Sequence, residues 1–469
     1  MKFLLILLNV FFVSFLDKPE KTSPQLSPRA VEQRARWGIQ TDVMDYPVST
    51  MYTDSLRRMG AKIFHKSRWF NGVTCEMNDE LAKKVEDLKF VTTVEVTRDN
   101  STPRPFYAPW RVRLREETAN ANDFNTDQQL QLFNLTPLHE AGFHGQGIHI
   151  AICDGAFASV NTLSCFRPKE LELGHFDFTD DKTSFYGSTG SHGTNCLSVV
   201  SGISTNFFGA ATQAPYYLMR SEEEDTESRK EMDNLVVALE KADSLGVNVF
   251  SASIGYYIFD NYDWDLVYER DMNGKSTRAS RAATIAARKG MLVCIAIGNE
   301  GDDNWRMLDV PADADSVLTV GAVDVNGNIG DFSSYGPTAD GRIKPEVCAV
   351  GVQTTVIKPD GKIVRSNGTS FSTPLLAGLA ATLWSALPQE NAMQIRERII
   401  RSADRYDNPD WDQYGYGIPD AWKAYQMSIA THLEDVQRDK VQCTKELRDG
   451  QLFLMYKGKK YNVQGMRVE

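Results

Sequence analysis

From residue 126 to about 428 the chain alternates short, almost unbroken apolar runs with longer segments whose apolar residues recur at helical spacing or give way to glycine clusters. The runs are IHIAICD (148–154), APYYLMR (214–220), VNVFSASI (247–254), MLVCIAIG (291–298) and VLTVGAV (317–323). They have strand length and lack the polar alternation of a strand with one wet face. Between them MDNLVVALEKADSLG (232–246) and RAATIAARKG (281–290) keep a helical period. Strands buried on both faces and joined by helices predict an α/β fold with a mostly parallel sheet covered by helices on both faces. In such sheets function gathers at the carboxyl ends of the strands.

Upstream the pattern differs. Within residues 45–97 it predicts helix STMYTDSLRRMG, strand AKIFHKSRWFNGVTCEM, helix DELAKKVEDL and strand FVTTVEVT, a small α+β unit. Residues 17–36 mix proline, serine and charge without periodic apolar positions and predict a flexible lead, so 17–98 is expected to be lead plus α+β unit. Residues 99–125 hold prolines and clustered arginines and read as an exposed, cleavable linker. Residues 1–16 carry one lysine and an apolar run from Phe3 to Leu16, the layout of a signal peptide. A domain is expected over 126–428, and a tail over 429–469 with a β-hairpin around Lys457-Gly458.

Composition narrows the function. The chain has 469 residues, 42% hydrophobic and 24% charged, ordinary for folded domains and unlike a disordered or fibrous chain. Its net charge of −11 disfavours nucleic acid as partner. Beyond the N-terminal run no stretch is long and apolar enough to span a membrane. The seven cysteines, at 75, 153, 165, 196, 294, 348 and 443, show no metal spacing and read as buried core residues with at most one or two bridges.

Four polar residues fall where the sheet pattern places chemistry. Asp154 ends the first strand; His192 opens an apolar helical stretch in SHGTNCLSVVSG; Asn299 follows a strand in AIGNEG; Ser370 opens the small-residue helix of NGTSFSTPLLAG. Singly, these residues are more often caps and turn formers. Together they supply nucleophile, base, orienting acid and oxyanion donor. The motifs resemble those of the subtilisin-like serine protease (subtilase) family, whose triad runs Asp, His, Ser along the chain. FSSYGPTADGRIKPEVCAVG (332–351) and YGYGIPDAWKAY (414–425) extend the resemblance over roughly 126–428. Two departures are Asp154-Gly155-Ala156, where the family has a small residue before glycine, and Asn195, where it has a second histidine.

The resemblance implies a secreted serine endopeptidase that requires no cofactor, with Asp154, His192 and Ser370 as triad and Asn299 with the Ser370 N–H as oxyanion hole. Calcium stays unassigned, since no D-x-[DN]-x-[DN]-G loop occurs. It also implies that 45–97 is an inhibitory propeptide, and that protein or peptide substrates add as a strand. Ser253, Ile254, Gly255, Ala296, Ile297 and Gly298 would line the specificity cleft and suit an uncharged or hydrophobic residue before the cleaved bond. SEEEDTESRKE (221–231) reads as a solvated loop, and Pro374 as a first-turn helix residue. The alternatives are a catalytically impaired subtilisin-like protein that binds peptide, and an adhesion or scaffold protein in which the three residues lie apart.

Overall fold

The computed structural model describes residues 8–20, 22–100, 126–180, 182–187, 190–223, 226–261 and 264–427, together with three strands between 444 and 461. Seven parallel strands form its main sheet: β5 (Ile150–Asp154), β6 (Glu172–Asp177), β7 (Tyr216–Arg220), β8 (Val249–Ala252), β9 (Leu292–Ala296), β10 (Leu318–Val323) and β11 (Val347–Val350). Their order is β11-β10-β9-β8-β5-β7-β6. Alternate side chains of the inner strands enter different cores. Ile150, Ile152, Val249 and Cys294 pack with helices α4 (His192–Ser201), α7 (Thr369–Ala386) and α8 (Ala392–Ser402). Ala151, Cys153, Phe250 and Ile295 pack with α5 (Arg229–Leu245) and α6 (Arg278–Arg288). This double burial explains why the runs read as continuous apolar stretches. Cys153, Ala252 and Ile295 lie in register, so Asp154, Ser253 and Ala296 emerge side by side at the carboxyl edge.

The N-terminal unit is an antiparallel sheet of β1 (Asn9–Phe15), β2 (Lys62–Ser67), β3 (Gly72–Met77) and β4 (Val91–Arg98), ordered β2-β3-β1-β4. Helices α2 (Thr50–Met59) and α3 (Asp79–Glu86) accompany it. Two expectations are corrected here. The first is the segment AKIFHKSRWFNGVTCEM, which folds back as the β2–β3 hairpin instead of one strand. The second is the apolar run assigned to a signal peptide, which supplies the inner strand β1. Phe11, Val13 and Phe15 enter the core with Leu56, Val73 and Val85, while Phe12, on the opposite face, lies under the Arg278 guanidinium, 4.2 Å from its ring centre. A strand buried on both faces has the composition of a leader's apolar segment, so pattern alone does not separate them.

The expected flexible lead contains a helix, α1 (Pro28–Trp37). Ser27 accepts from the Ala30 N–H, Pro28 takes the first turn, and Gly38 closes the helix at φ +68°. Its buried face has little apolar periodicity because Arg34 occupies it, paired with Asp243 at 2.7 Å and Asp45 at 2.8 Å. Trp37 stacks on the fully buried Trp384, ring centres 5.6 Å apart. Trp37 is half-buried, so this contact adds part of the roughly 1.5–3 kcal/mol of a fully buried side chain.

Residues 426–469 form a separate unit, beginning slightly before the expected tail at 429. It contains the antiparallel strands Thr444–Arg448, Gln451–Tyr456 and Lys459–Tyr461. The last two flank the expected turn, whose Lys457 and Gly458 lie outside the described residues. Six cysteines are buried free thiols, and Cys443 lies outside the described residues. No helix among the described residues is long and apolar enough to cross a membrane.

Candidate active site

The carboxylate of Asp154 is fully buried at the end of β5. Its Oδ1 accepts from the Gly155 N–H at 2.8 Å, and both oxygens stand 2.9 Å from His192 Nδ1. Glycine follows the histidine for a steric reason. A Cβ on Gly193 would stand 2.5 Å from the Ala156 carbonyl and 3.0 Å from Asp154 Cβ, so only a bare backbone lets α4 approach the turn after β5. Burial opposes charging of the imidazole, but the Asp154 carboxylate outweighs it and holds the His192 pKa well above the ordinary range. The contact also defines the tautomer: Nδ1 carries the proton toward Asp154, and Nε2 is the basic nitrogen of the neutral ring.

Ser370 is the second residue of α7, which runs beneath β8–β11 and against α4. Gly368, at φ +153°, turns the chain into the helix. The helix start is capped from another strand: Asn299 Oδ1 accepts from Thr369 N–H at 2.8 Å and Thr369 Oγ1 at 3.0 Å. With that oxygen engaged, the group Asn299 can offer a reacting oxygen is its NH₂.

Pro374 lies inside α7, not in its first turn. It therefore has no N–H to give the carbonyl four residues back, which belongs to Ser370. That carbonyl instead accepts from Ser253 Oγ at 2.8 Å and Cys196 Sγ at 3.3 Å. These bonds tie Ser370 to the end of β8 and to the histidine helix. The His192 ring also packs on Phe371, ring centres 6.0 Å apart. Asp154, His192, Ser370 and Asn299 thus share one rim.

Beside Ser370 is a pocket lined by Ser253, Ile254, Gly255, Ala296 and Gly298 of the expected cleft, together with Asn299. Ile297 departs from the expected set: it is fully buried in the core. The lining also includes Glu300 and Asp309, which sequence reasoning left out. Glu300 directly follows Asn299 and was within reach of the motif. Asp309 comes from a distant loop brought in by the bridge between Tyr256 and Val310. The solvated-loop reading of 221–231 is also corrected: Glu222, Glu223, Glu227 and Glu231 are buried. Lys230 pairs with Glu223, and Tyr256 O–H donates to Glu222 at 2.7 Å. Buried charges acquire partners, and here one, Lys230, comes from within the run and another, Tyr256, from outside it.

Residues 145–417 match the subtilase family, Peptidase S8. The chain belongs to that family. Residues 10–108 match the Peptidase S8 propeptide domain of Bacteroidota, which spans the N-terminal sheet including β1. The chain is 27% identical over 299 residues to a thermostable alkaline protease of Halalkalibacterium halodurans, covering 63% of this chain and 73% of that protein. To subtilisin NAT of Bacillus subtilis subsp. natto it is 24% identical over 362 residues, 75% and 85% of the two. Its fold is similar to the crystal structure of MycP1 from Mycobacterium smegmatis, with a TM-score of 0.51 and 21% identity over 70% of this chain and 89% of that one. The subtilase is a serine endopeptidase, a hydrolase with a propeptide domain.

Proposed function

We propose that this subtilase is secreted or envelope-associated and cuts peptide bonds through Asp154, His192 and Ser370 by way of an acyl-enzyme. The observation that carries the reading is His192 Nδ1 held 2.9 Å from both Asp154 oxygens at a rim shared with the start of the Ser370 helix. His192 Nε2 takes the proton of the Ser370 hydroxyl as its oxygen attacks the scissile carbonyl, and Asp154 stabilises the imidazolium. The tetrahedral oxyanion accepts from the Asn299 NH₂ and the Ser370 N–H, the latter aided by the dipole of α7. The intermediate collapses as His192 returns the proton to the leaving amine. Water activated by the same nitrogen then releases the acyl group and restores the Ser370 hydroxyl. Protein groups alone carry these steps. The propeptide domain acts as an intramolecular inhibitor until the chain is cut within 99–125.

A fluorophosphonate probe tests this reading. Expected is one adduct, located at Ser370 by peptide mass spectrometry and absent from Ser370→Ala, with kcat on a peptide substrate falling about 10⁶-fold in that variant, the loss known for the nucleophile of subtilisin itself. A folded, propeptide-free protein that takes no label would point instead to the impaired, peptide-binding alternative.

A further inference from the structure

Residues 16–49 leave the propeptide sheet after β1 and return to it at α2. On the way they cross to the catalytic domain. The Ser27 N–H donates to the Ser244 carbonyl, in the last turn of α5, at 2.8 Å. Arg29 spreads its guanidinium over three acceptors: the Gly246 carbonyl at 3.0 Å, the Gly147 carbonyl at 2.9 Å and Asn248 Oδ1 at 2.6 Å. Gly147 precedes β5, and Asn248 precedes β8. Arg34 meets Asp243, and Lys289, just after α6, reaches Asp42 and Asp45 at 2.9 Å each.

Two helix ends fit closely against this segment. Gly246 closes α5 at φ +72°, and a Cβ there would stand 2.8 Å from Ala30 N; one on Gly290, after α6 at φ +97°, would stand 2.7 Å from Ile39 Cδ1. The left-handed backbone favours glycine at both ends, and the short approaches show the segment seated against them without a gap. Beside Ile39, Trp37 stacks on Trp384. The base of the excursion is fastened as well. The Lys18 ammonium donates to the Val43, Tyr46 and Arg68 carbonyls at 2.8, 2.6 and 2.7 Å, which joins the legs on either side of α1 to the β2–β3 turn.

These contacts lie at the amino ends of β5, β8 and β9, opposite the rim. Helix α7 measures the separation: Ser370 is its second residue and Trp384 lies in its last turn, about 21 Å apart at a rise of about 1.5 Å per residue. The segment therefore adds binding without entering the site. The propeptide sheet docks elsewhere, through Thr74 on Asp233, Glu95 on Arg278 and Arg98 on Glu223.

We propose that residues 27–45 form a second anchor for the propeptide domain, seated on the amino edge of the catalytic sheet and independent of the contacts made by the propeptide sheet. The proposal rests on the reading of the N-terminal domain as a propeptide released by a cut within 99–125. Two contacts carried by one chain reinforce each other, because each holds the other's partner at high local concentration. Loss of the anchor therefore speeds departure of the cut propeptide and leaves the mature enzyme, which lacks these residues, unchanged.

The test uses a Ser370→Ala chain with a site-specific protease sequence placed within 99–125 and cut after folding, so that dissociation is read by size exclusion without catalysis. Arg29→Ala combined with Trp37→Ala is expected to raise the first-order dissociation rate about 10-fold or more. In the Ser370 background, the mature enzyme released from the variant should match the parent in kcat/KM. An unchanged dissociation rate overturns the proposal. Should the double variant not fold, hydrogen exchange of the cut parent complex decides: amides of α1 should stay protected together with those of β1–β4. If α1 exchanges as fast as in the separated propeptide while β1–β4 remain protected, there is no second anchor. Fluorophosphonate labelling of the parent is read alongside, and its absence overturns the protease reading without touching the dissociation result.

Discussion

The catalytic rim and the face where the propeptide domain docks both bury charge, but they assemble it differently. At the rim the acid and the base come from one domain, at the end of β5 and the start of α4, 38 residues apart with β6 between them. At the docking face each cluster is divided between domains. Asp243 of α5 pairs with Arg34 at 2.7 Å and Arg68 at 2.5 Å, both N-terminal. Glu240 accepts from Ser67 Oγ at 2.6 Å and from the Arg68 and Trp69 N–H groups at 2.9 and 3.1 Å. Lys289 of the catalytic domain meets Asp45 at 2.9 Å, and Arg278 bonds Glu95. Buried pairs gain little net stability because each ion loses water, yet removing one partner strands the other. A face built this way holds while it is dry. Were the linker cut as proposed and water to enter, both halves would hydrate as ordinary polar surface. The rim stays matched within one domain whether or not the propeptide is present.

Three substitutions sharpen this contrast. The largest effect is expected for Asp154→Asn, which should lower kcat by about 10³–10⁴-fold through loss of the required tautomer. The base works as neutral imidazole, present above its pKa, and Asp154 raises that pKa. The acid limb of kcat/KM should therefore lie above about pH 6.5 in the parent and move to lower pH in the variant, as a pH–rate profile would register. Next comes Asn299→Ala, expected to cost about 10²–10³ in kcat, the range known for the same loss in subtilisin. Because Oδ1 also caps α7, thermal or urea unfolding should show a further loss of about 1 kcal/mol. If kcat were unchanged, Asn299 would be a cap alone. Smallest is Asp243→Asn, which leaves Arg34 and Arg68 without their shared carboxylate. Urea unfolding of the uncut chain in a Ser370→Ala background should lose about 3 kcal/mol, while the mature enzyme keeps its kcat/KM. Equal stability of the uncut chains would show that the docking face does not depend on this cluster.

Legibility followed how local each signal is. Five of the seven sheet strands appear within a few residues of the predicted ends, because a strand buried on both faces writes its apolar run directly into the chain; β6, a half-exposed edge strand, and the short β11 were not predicted. Ser370 and His192 could be found because each opens a helix beside a glycine that its position demands. The same rule misled at β1, whose two faces bury against different domains and so imitate a leader. Helix α1 was hidden because its buried face is Arg34, a residue that reads as exposed until Asp243 and Asp45 are known to meet it; Ser27-Pro28 and Gly38 were the signals available. Pro374 was placed by its distance from Ser370, and only the helix start at Thr369 showed it to be internal, releasing the Ser370 carbonyl to Ser253 and Cys196.

The sequence by itself determined the α/β architecture, the family and the candidate residues of the rim, since periodicity and short motifs need only neighbours along the chain. Tertiary structure alone decided which acids are buried, what they meet and what lines the pocket. Glu240 and Asp243 find partners some 170–210 residues away, and Asp309 reaches the pocket through a bridge between loops. Burial and pairing of charge depend on groups that the chain brings together only by folding.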